Sequence, residues 1–375
     1  MSDQATAQAT ALVLEAPRRL VLRSFPLPKI GDDDGLLRVE ACGLCGTDHE
    51  QYTGQLNPGY PFVPGHESVG IVEQIGPAAA DRWGVSEGDR VAVEVFLSCR
   101  ACAECMAGTY RRCVHHGMRD MYGFVPVAAE PGIWGGYGTH QYLAPDSLVI
   151  PVPAMLDPVV ATLFNPLGAG IRWAATLPGT TKGDIVAVLG PGIRGLSALI
   201  AAREAGAGFV MVAGSGERDR TRLDWAAQLG ADLTVDVSGD NPASALRAAT
   251  GRLADIVVDV TAKAPAALAQ AVQLARPGGT IVLAGTRGRP ETPRFHPDHI
   301  VYKELHIIGA LGVDTTAYRA ALALLASGRY PFADLPRETV GMDGLDRLLQ
   351  TMAGETEQAP PVHGVLVPHP TDPTG

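Results

Sequence analysis

The chain has 375 residues, 46% hydrophobic and 19% charged, the balance of an ordinary globular protein long enough to build two cores. A formal net charge of −10 argues against nucleic acid or an anionic membrane surface as the main partner. No apolar run approaches the roughly 20 residues that span a bilayer. The opening MSDQATAQAT lacks the basic start and apolar core of a signal peptide, so a cytoplasmic location is expected.

The first part of the chain reads as short runs, ALVLE, LLRVEACG, SVGIVEQIG and DRVAVEVF, broken by Gly and Pro, which predicts a β-rich, barrel-like domain. Within it, ACGLCGTDHE at 41–50 and GHE at 65–67 concentrate possible metal ligands. Cys42 reads as a small buried apolar residue. Cys99, Cys102, Cys105 and Cys113 then form C-x2-C-x2-C-x7-C. Four thiolates on one loop close a tetrahedral shell around a borderline-soft cation, which predicts structural zinc with no open position. Unbound thiols or iron are the other readings.

A proline-rich seam, VIPVPAMLDP, leads into an expected helix over about 160–176. From Asp184 the pattern changes to strands DIVAVLG, FVMVA, ADIVVDV and TIVLAG, alternating with helical stretches. Alternating strands and helices predict a parallel sheet covered on both faces. After ELHIIGALG come a helix, TAYRAALALLASG, and short strands, so the second domain is expected as an insertion in the first.

VLGPGIRG places Gly190, Gly192 and Gly195 in G-x-G-x-x-G register between a strand and a helix, with Ile193 and Arg194 in the helix's first turn. Gly190 permits the tight turn, Gly192 lets a pyrophosphate approach, and Gly195 lets helix and strand pack closely. The helix N-terminus adds unpaired N–H groups, so a dinucleotide site is expected. The second strand lacks the acid that takes the ribose hydroxyls: Gly214, Ser215 and Gly216 follow FVMVA. Ser215 with Arg218 suits a 2′-phosphate, which favours NADP slightly over NAD.

Cys45-Gly46-Thr47-Asp48, GHESVGIVEQIG, GDRV at 88–91, the four-cysteine loop and VLGPGIRG together resemble the zinc-dependent medium-chain alcohol dehydrogenases, nearest the polyol and threonine dehydrogenase branch. The resemblance covers nearly the whole chain. It implies a GroES-like catalytic domain at 1–160 and 312–375 with an inserted Rossmann, doubly wound parallel sheet at 161–311. It also implies a homodimer or homotetramer. Two zinc ions per chain are implied, one structural and one catalytic, the latter on Cys45 and His66. A thiolate and a neutral imidazole leave that cation Lewis-acidic, so an alcohol ionises near neutral pH and gives hydride to NAD or NADP.

By the same resemblance Thr47 takes the alcohol proton and Asp48 supports the ligand histidine. The family's third ligand is a Cys, Glu or Asp where this chain has Asn165, a poorer zinc donor. The expectation is therefore Cys45, His66 and Glu67, with Asn165 joining directly or through water. A relay histidine is replaced by Glu50, with His49 one position earlier, and either is a candidate to pass the proton to water.

Met118, Met121, Tyr122, Phe124 and Trp134, with Phe96 and Leu97 as secondary candidates, suggest an apolar wall for a secondary or bulky primary alcohol, or its ketone or aldehyde; ordinary packing and dimer contact is the other reading. Two alternatives share the scaffold: a zinc-independent NADPH reductase of enone or quinone type, and a non-enzymatic dinucleotide-binding protein. Cys45 and GHE weigh against the reductase, while Asn165 and Gly214 leave it open.

Overall fold

A computed structural model describes residues 7–262, 264–288, 292 and 295–369. It divides into two units, Met1–Phe164 with Leu322–Gly375, and Asn165–Ala321. The second cut passes through the helix Thr315–Ala326.

The first unit begins with an antiparallel hairpin, β1 (Gln8–Ala16) and β2 (Arg19–Pro26). There follow β3 (Gly35–Leu44), β4 (Ser68–Ile75), β5 (Arg90–Val93), β6 (His140–Leu143) and β7 (Val149–Pro151). β3 is buried along nearly its whole length, and GLLRVEACGL is apolar enough to tolerate that. It pairs antiparallel with β4 in a register that sets Cys42 opposite Ser68. Gly43 N–H donates to the Glu67 carbonyl at 3.1 Å. The end of β3 and the approach to β4 are thereby held side by side, which joins Cys45 to His66 and Glu67 across twenty residues of chain.

The second unit contributes β8 (Ile185–Leu189), β9 (Phe209–Gly214), β10 (Leu233–Asp236), β11 (Ala254–Asp259), β12 (Ala275–Leu283) and β13 (His306–Gly309). All are parallel, in the order β10-β9-β8-β11-β12-β13. This is the doubly wound order, with its switch point beside β8. The sheet's apolar side chains, among them Ile185, Leu189, Met211, Val257 and Ile281, form one buried cluster with Leu246 and Leu274 from the covering helices.

The chain then returns to the first unit with β14 (Arg337–Val340) and β15 (His363–Leu366), and β15 pairs with β3. The first unit's second sheet thus runs β14-β15-β3-β4-β5-β7, with β6 also on β3. Two buried ionisable groups belong to this unit's packing. The Glu94 carboxyl accepts from the Tyr110 hydroxyl and from Phe96 N–H at 3.3 Å, and burial pushes it up to about 7. His363 receives the Arg337 Nε–H on Nδ1 at 3.1 Å and faces Thr162 Oγ1 through Nε2 at 3.2 Å. Burial, then the Arg337 charge, lowers its pKa to about 3.

The expected continuous helix over 160–176 is broken. Pro158–Ala161 and Phe164–Gly170 are α-helical, and Ile171–Thr176 is a π-helical turn. The wider turn lets Arg172 and Trp173 donate to the Gly312 carbonyl, at 3.2 and 3.0 Å. Gly170 packs so closely on the helix Ile193–Glu204 that a Cβ would lie 2.4 Å from the Ser197 backbone. Strand β10 and the helices Pro242–Thr250 and Leu345–Ala353 add to the elements expected from the sequence.

Candidate active site

Cys45 caps the N-terminus of the helix Gly46–Tyr52 in extended conformation, one residue beyond β3. Its backbone N–H donates to Asp48 Oδ2 at 2.8 Å, and its Sγ lies 3.3 Å from His66 Nε2. Cys45, His66 and Glu67 each bring a donor atom within 4.8 Å of the other two, and all three are buried. Thiolate, imidazole and carboxylate are a zinc donor set with a position left open. On the far side of the ring, His66 Nδ1 faces Asp48 Oδ1 at 3.6 Å. Both atoms are buried without a partner at hydrogen-bond distance. An Nδ1–H directed at a carboxylate fixes the tautomer whose Nε2 lone pair points to the sulfur and the carboxylate of Glu67. The residues therefore fit zinc.

Around this centre the side chains sort by role. The Phe124 ring lies 5.9 Å from that of His66, within a buried cluster of Val95, Phe96, Tyr110 and Met121. Tyr122 and Leu97 instead belong to the packed core under β5, and Tyr122 spends its hydroxyl on Ser147 and the Ala144 N–H. Met118 is exposed. The apolar wall expected from the sequence thus shrinks, beside His66, to Phe124 and its cluster.

Thr47 is half-buried in the helix's first turn and Glu50 is half-buried further along. His49 is buried, and its Nε2 pairs with Glu355 at 2.9 Å. Arg18 grips the same carboxylate with two bonds, at 2.8 and 2.9 Å. Arg18 first, with a smaller share from His49, holds the Glu355 carboxyl down at about 2 against partial burial.

The four-cysteine loop brings Cys99, Cys102, Cys105 and Cys113 into one cluster, all donor atoms within 4.8 Å. Cys99 and Cys105 sulfurs are 3.7 Å apart, and Cys102 and Cys113 sulfurs 4.0 Å. A zinc–sulfur bond of about 2.3 Å gives a tetrahedral edge of about 3.8 Å, so the spacing suits one closed shell. None of the six cysteines is in a disulfide, and Cys42 lies in the core with its thiol 3.8 Å from Ser68 Oγ.

In the second unit the glycine-rich turn has the steric form its sequence requires. Gly190 has φ +100°, and a Cβ on Gly195 would sit 1.8 Å from the Gly190 carbonyl oxygen. A Cβ on Gly192 would meet nothing within 4 Å, so the turn is open where a pyrophosphate approaches. Ile193 and Arg194 begin the helix Ile193–Glu204. At the end of β9, Gly214 packs on Pro191, and Ser215 and Arg218 are exposed. The Asp219 carboxylate, which the sequence reading overlooked, folds back to accept the Ser215 N–H at 2.9 Å and pairs with Arg222 at 3.2 Å.

Asn165 is buried, with both amide atoms engaged within the second unit. Its Nδ2 donates to the Tyr318 hydroxyl at 2.9 Å, and its Oδ1 accepts from Arg194 at 3.3 Å. Arg194 in turn lies over the Trp173 ring, 5.3 Å from its centre. Neither Tyr318 nor this use of Arg194 was visible in the sequence pattern.

Tyr137 was missed as well, although its surroundings carry a signal. It follows Gly135 and Gly136, and a Cβ on either would come within 2.1 Å of Val63 O or Ser68 Oγ. Glycines forced by such close approach of backbone and side-chain atoms mark a tightly built wall. The Tyr137 hydroxyl is fully buried with no partner at hydrogen-bond distance. Burial, and next the charge of Asp48, push its pKa well above the ordinary value.

Fold and donor sets together define a zinc-binding dehydrogenase. The alcohol dehydrogenase GroES-like domain model matches residues 31–154, and the zinc-binding dehydrogenase model matches 195–327. A probable alcohol dehydrogenase of Mycobacterium tuberculosis is 68% identical over 98% of this chain and 100% of its own length. Sorbitol dehydrogenase of Bacillus subtilis is 30% identical, over 91% of this chain and 93% of its own. Among solved structures, a protein assigned as a zinc-binding dehydrogenase from Sinorhizobium meliloti, with NADP bound, superposes with TM-score 0.83 at 28% identity. That match covers 96% of this chain and 100% of the other. The chain belongs to the zinc-dependent medium-chain alcohol dehydrogenase family.

Proposed function

We propose that the protein is an NAD(P)-dependent alcohol dehydrogenase that interconverts secondary or bulky primary alcohols with ketones or aldehydes. The observation that carries this reading is the buried Cys45–His66–Glu67 group with Asp48 behind it. When bound there, zinc supplies a Lewis acid that lowers the pKa of the alcohol. Cys45, His66 and Glu67 hold it, and Asp48 fixes both the Cys45 backbone and the His66 ring. Phe124 and its neighbours exclude water and favour a substrate with apolar bulk. Thr47 takes the alcohol proton. Either His49 or Glu50 passes the proton on to water, and His49 pairs with the partly exposed carboxylate of Glu355.

The turn at Gly190, Gly192 and Gly195 holds the dinucleotide's pyrophosphate, with Ile193 and Arg194 opening the helix behind it. Asp219 accepts the Ser215 N–H and pairs with Arg222, and the exposed Ser215 hydroxyl and Arg218 guanidinium suit a 2′-phosphate, which favours NADP. The similar NADP-bound dehydrogenase supports that preference. Asn165, whose amide meets Arg194 and Tyr318, stays a proposed further ligand, directly or through water. The protein acts in the cytoplasm as a homodimer or homotetramer. Among the described residues no helix is long and apolar enough to cross a membrane, and β13 exposes Ile307 on an open sheet edge.

A panel of alcohols assayed with NAD and NADP separately is expected to show chelator-sensitive production of reduced cofactor, faster for bulky secondary alcohols and with NADP. Turnover indifferent to chelator, or confined to enones and quinones, overturns the reading. Light scattering of the same preparation is expected to give a multiple of the 39.2 kDa chain mass.

A further inference from the structure

Three buried polar atoms near the Cys45 centre lack partners at hydrogen-bond distance: Asp48 Oδ1, His66 Nδ1 and the Tyr137 hydroxyl. Each costs free energy if it stays unpaired. They also lie together. Asp48 Oδ1 faces His66 Nδ1 at 3.6 Å, and Asp48 is the charged group that acts most strongly on the Tyr137 hydroxyl. The other polar neighbour, Cys42, directs its thiol to the Gly43 carbonyl at 3.7 Å and touches Ser68.

The Tyr137 ring has no freedom to look elsewhere. Its backbone N–H donates to the Pro64 carbonyl at 3.0 Å, and its carbonyl accepts from Leu12 at 2.8 Å. Gly65, at φ +91°, has no room for a side chain, since a Cβ would lie 2.5 Å from the ring. The ring is therefore wedged behind the peptide that carries His66.

We propose that Tyr137 is a positioning residue of the metal centre, its hydroxyl donating to the Asp48 carboxylate that holds both Cys45 and His66. Asp48 then collects three donors: the Cys45 N–H, the His66 Nδ1–H and the Tyr137 O–H. A carboxylate fixed on three sides cannot rotate, so the imidazole keeps the tautomer and aim that zinc needs. This rests on the zinc reading of Cys45, His66 and Glu67.

The test is Tyr137→Phe in the full chain, with zinc affinity measured by chelator competition and the cobalt(II)-substituted spectrum recorded beside it. The expected result is about a 10- to 100-fold loss of affinity for one zinc, with the four-cysteine zinc unchanged. The cobalt spectrum should shift, while the melting temperature of the metal-free protein should not fall. A wild-type chain that binds one zinc only defeats the metal reading and this inference together. Two zinc ions held alike by wild type and Tyr137→Phe, or an equal fall in melting temperature with and without metal, defeats the Tyr137 inference alone.

Discussion

Replacing His66 with Ala is expected to leave one zinc per chain and to reduce alcohol oxidation by on the order of a thousandfold or more. A Lewis acid contributes several kcal/mol to such a barrier, and each 1.36 kcal/mol is about tenfold in rate. The imidazole is the middle donor of the group: its Nε2 meets the Cys45 sulfur at 3.3 Å and its Nδ1 faces Asp48. Its removal separates two buried anionic donors from the neutral ligand between them, and leaves the Asp48 oxygen facing a cavity. Cys45→Ser should act alike, because a hydroxyl does not supply the thiolate that the cation selects. Metal analysis with a steady-state assay checks both. Full activity in a variant retaining a single zinc would falsify the assignment.

The second large effect is expected at the four-cysteine loop. Cys113→Ser should release the other zinc and unfold the loop while alcohol binding at Cys45 persists. Apart from the metal, the loop is anchored chiefly by Tyr110, buried with Phe96 and Phe124 and donating to Glu94, and by Arg100 on Asp146. Its ordered elements are one four-residue helix, Ala103–Met106, and the single turn Tyr110–Arg112, and Met106 and Val114 face solvent. Structural zinc contributes about 10–16 kcal/mol of apparent binding free energy in zinc-finger peptides, far more than so small an apolar contact supplies. Trypsin provides the readout, since Arg100, Arg111 and Arg112 lie within the loop. Rapid cleavage there in the variant, against resistance in wild type, is the expected outcome; equal resistance would mean that the thiols hold no metal.

What could be read from the sequence was what acts locally. The glycine-rich turn was legible because Gly190 and Gly195 touch each other across five residues, and steric exclusion at that range leaves no choice of residue. The four-cysteine loop was legible because its ligands lie within fifteen residues of one another. Cys45 with His66 and Glu67 needed the family pattern, since their union depends on the register of β3 with β4. The partners beyond that came from no local pattern. His49 meets Glu355 across 306 positions, and Asn165 meets Tyr318 across 153. The break at Ile171 escaped for a different reason: a π-turn adds one residue to a helical turn and leaves the apolar composition unchanged.

The buried pair Glu94 and His363 gives the first unit a proton balance with opposing slopes. Glu94 is raised from 4.5 to about 7, so between those values the folded chain binds the extra proton and stability falls as pH rises. His363 is lowered from 6.5 to about 3, so across that range the unfolded chain binds the extra proton and stability falls as pH drops. Between 4.5 and 6.5 the two gradients oppose each other, and their joint contribution is nearly level. Below 4.5 Glu94 is protonated in both states and its stabilisation stays constant, so only the His363 penalty continues to grow. The two buried groups together hold the fold's response to mild acidification nearly level, and the His363 penalty sets its acid limit.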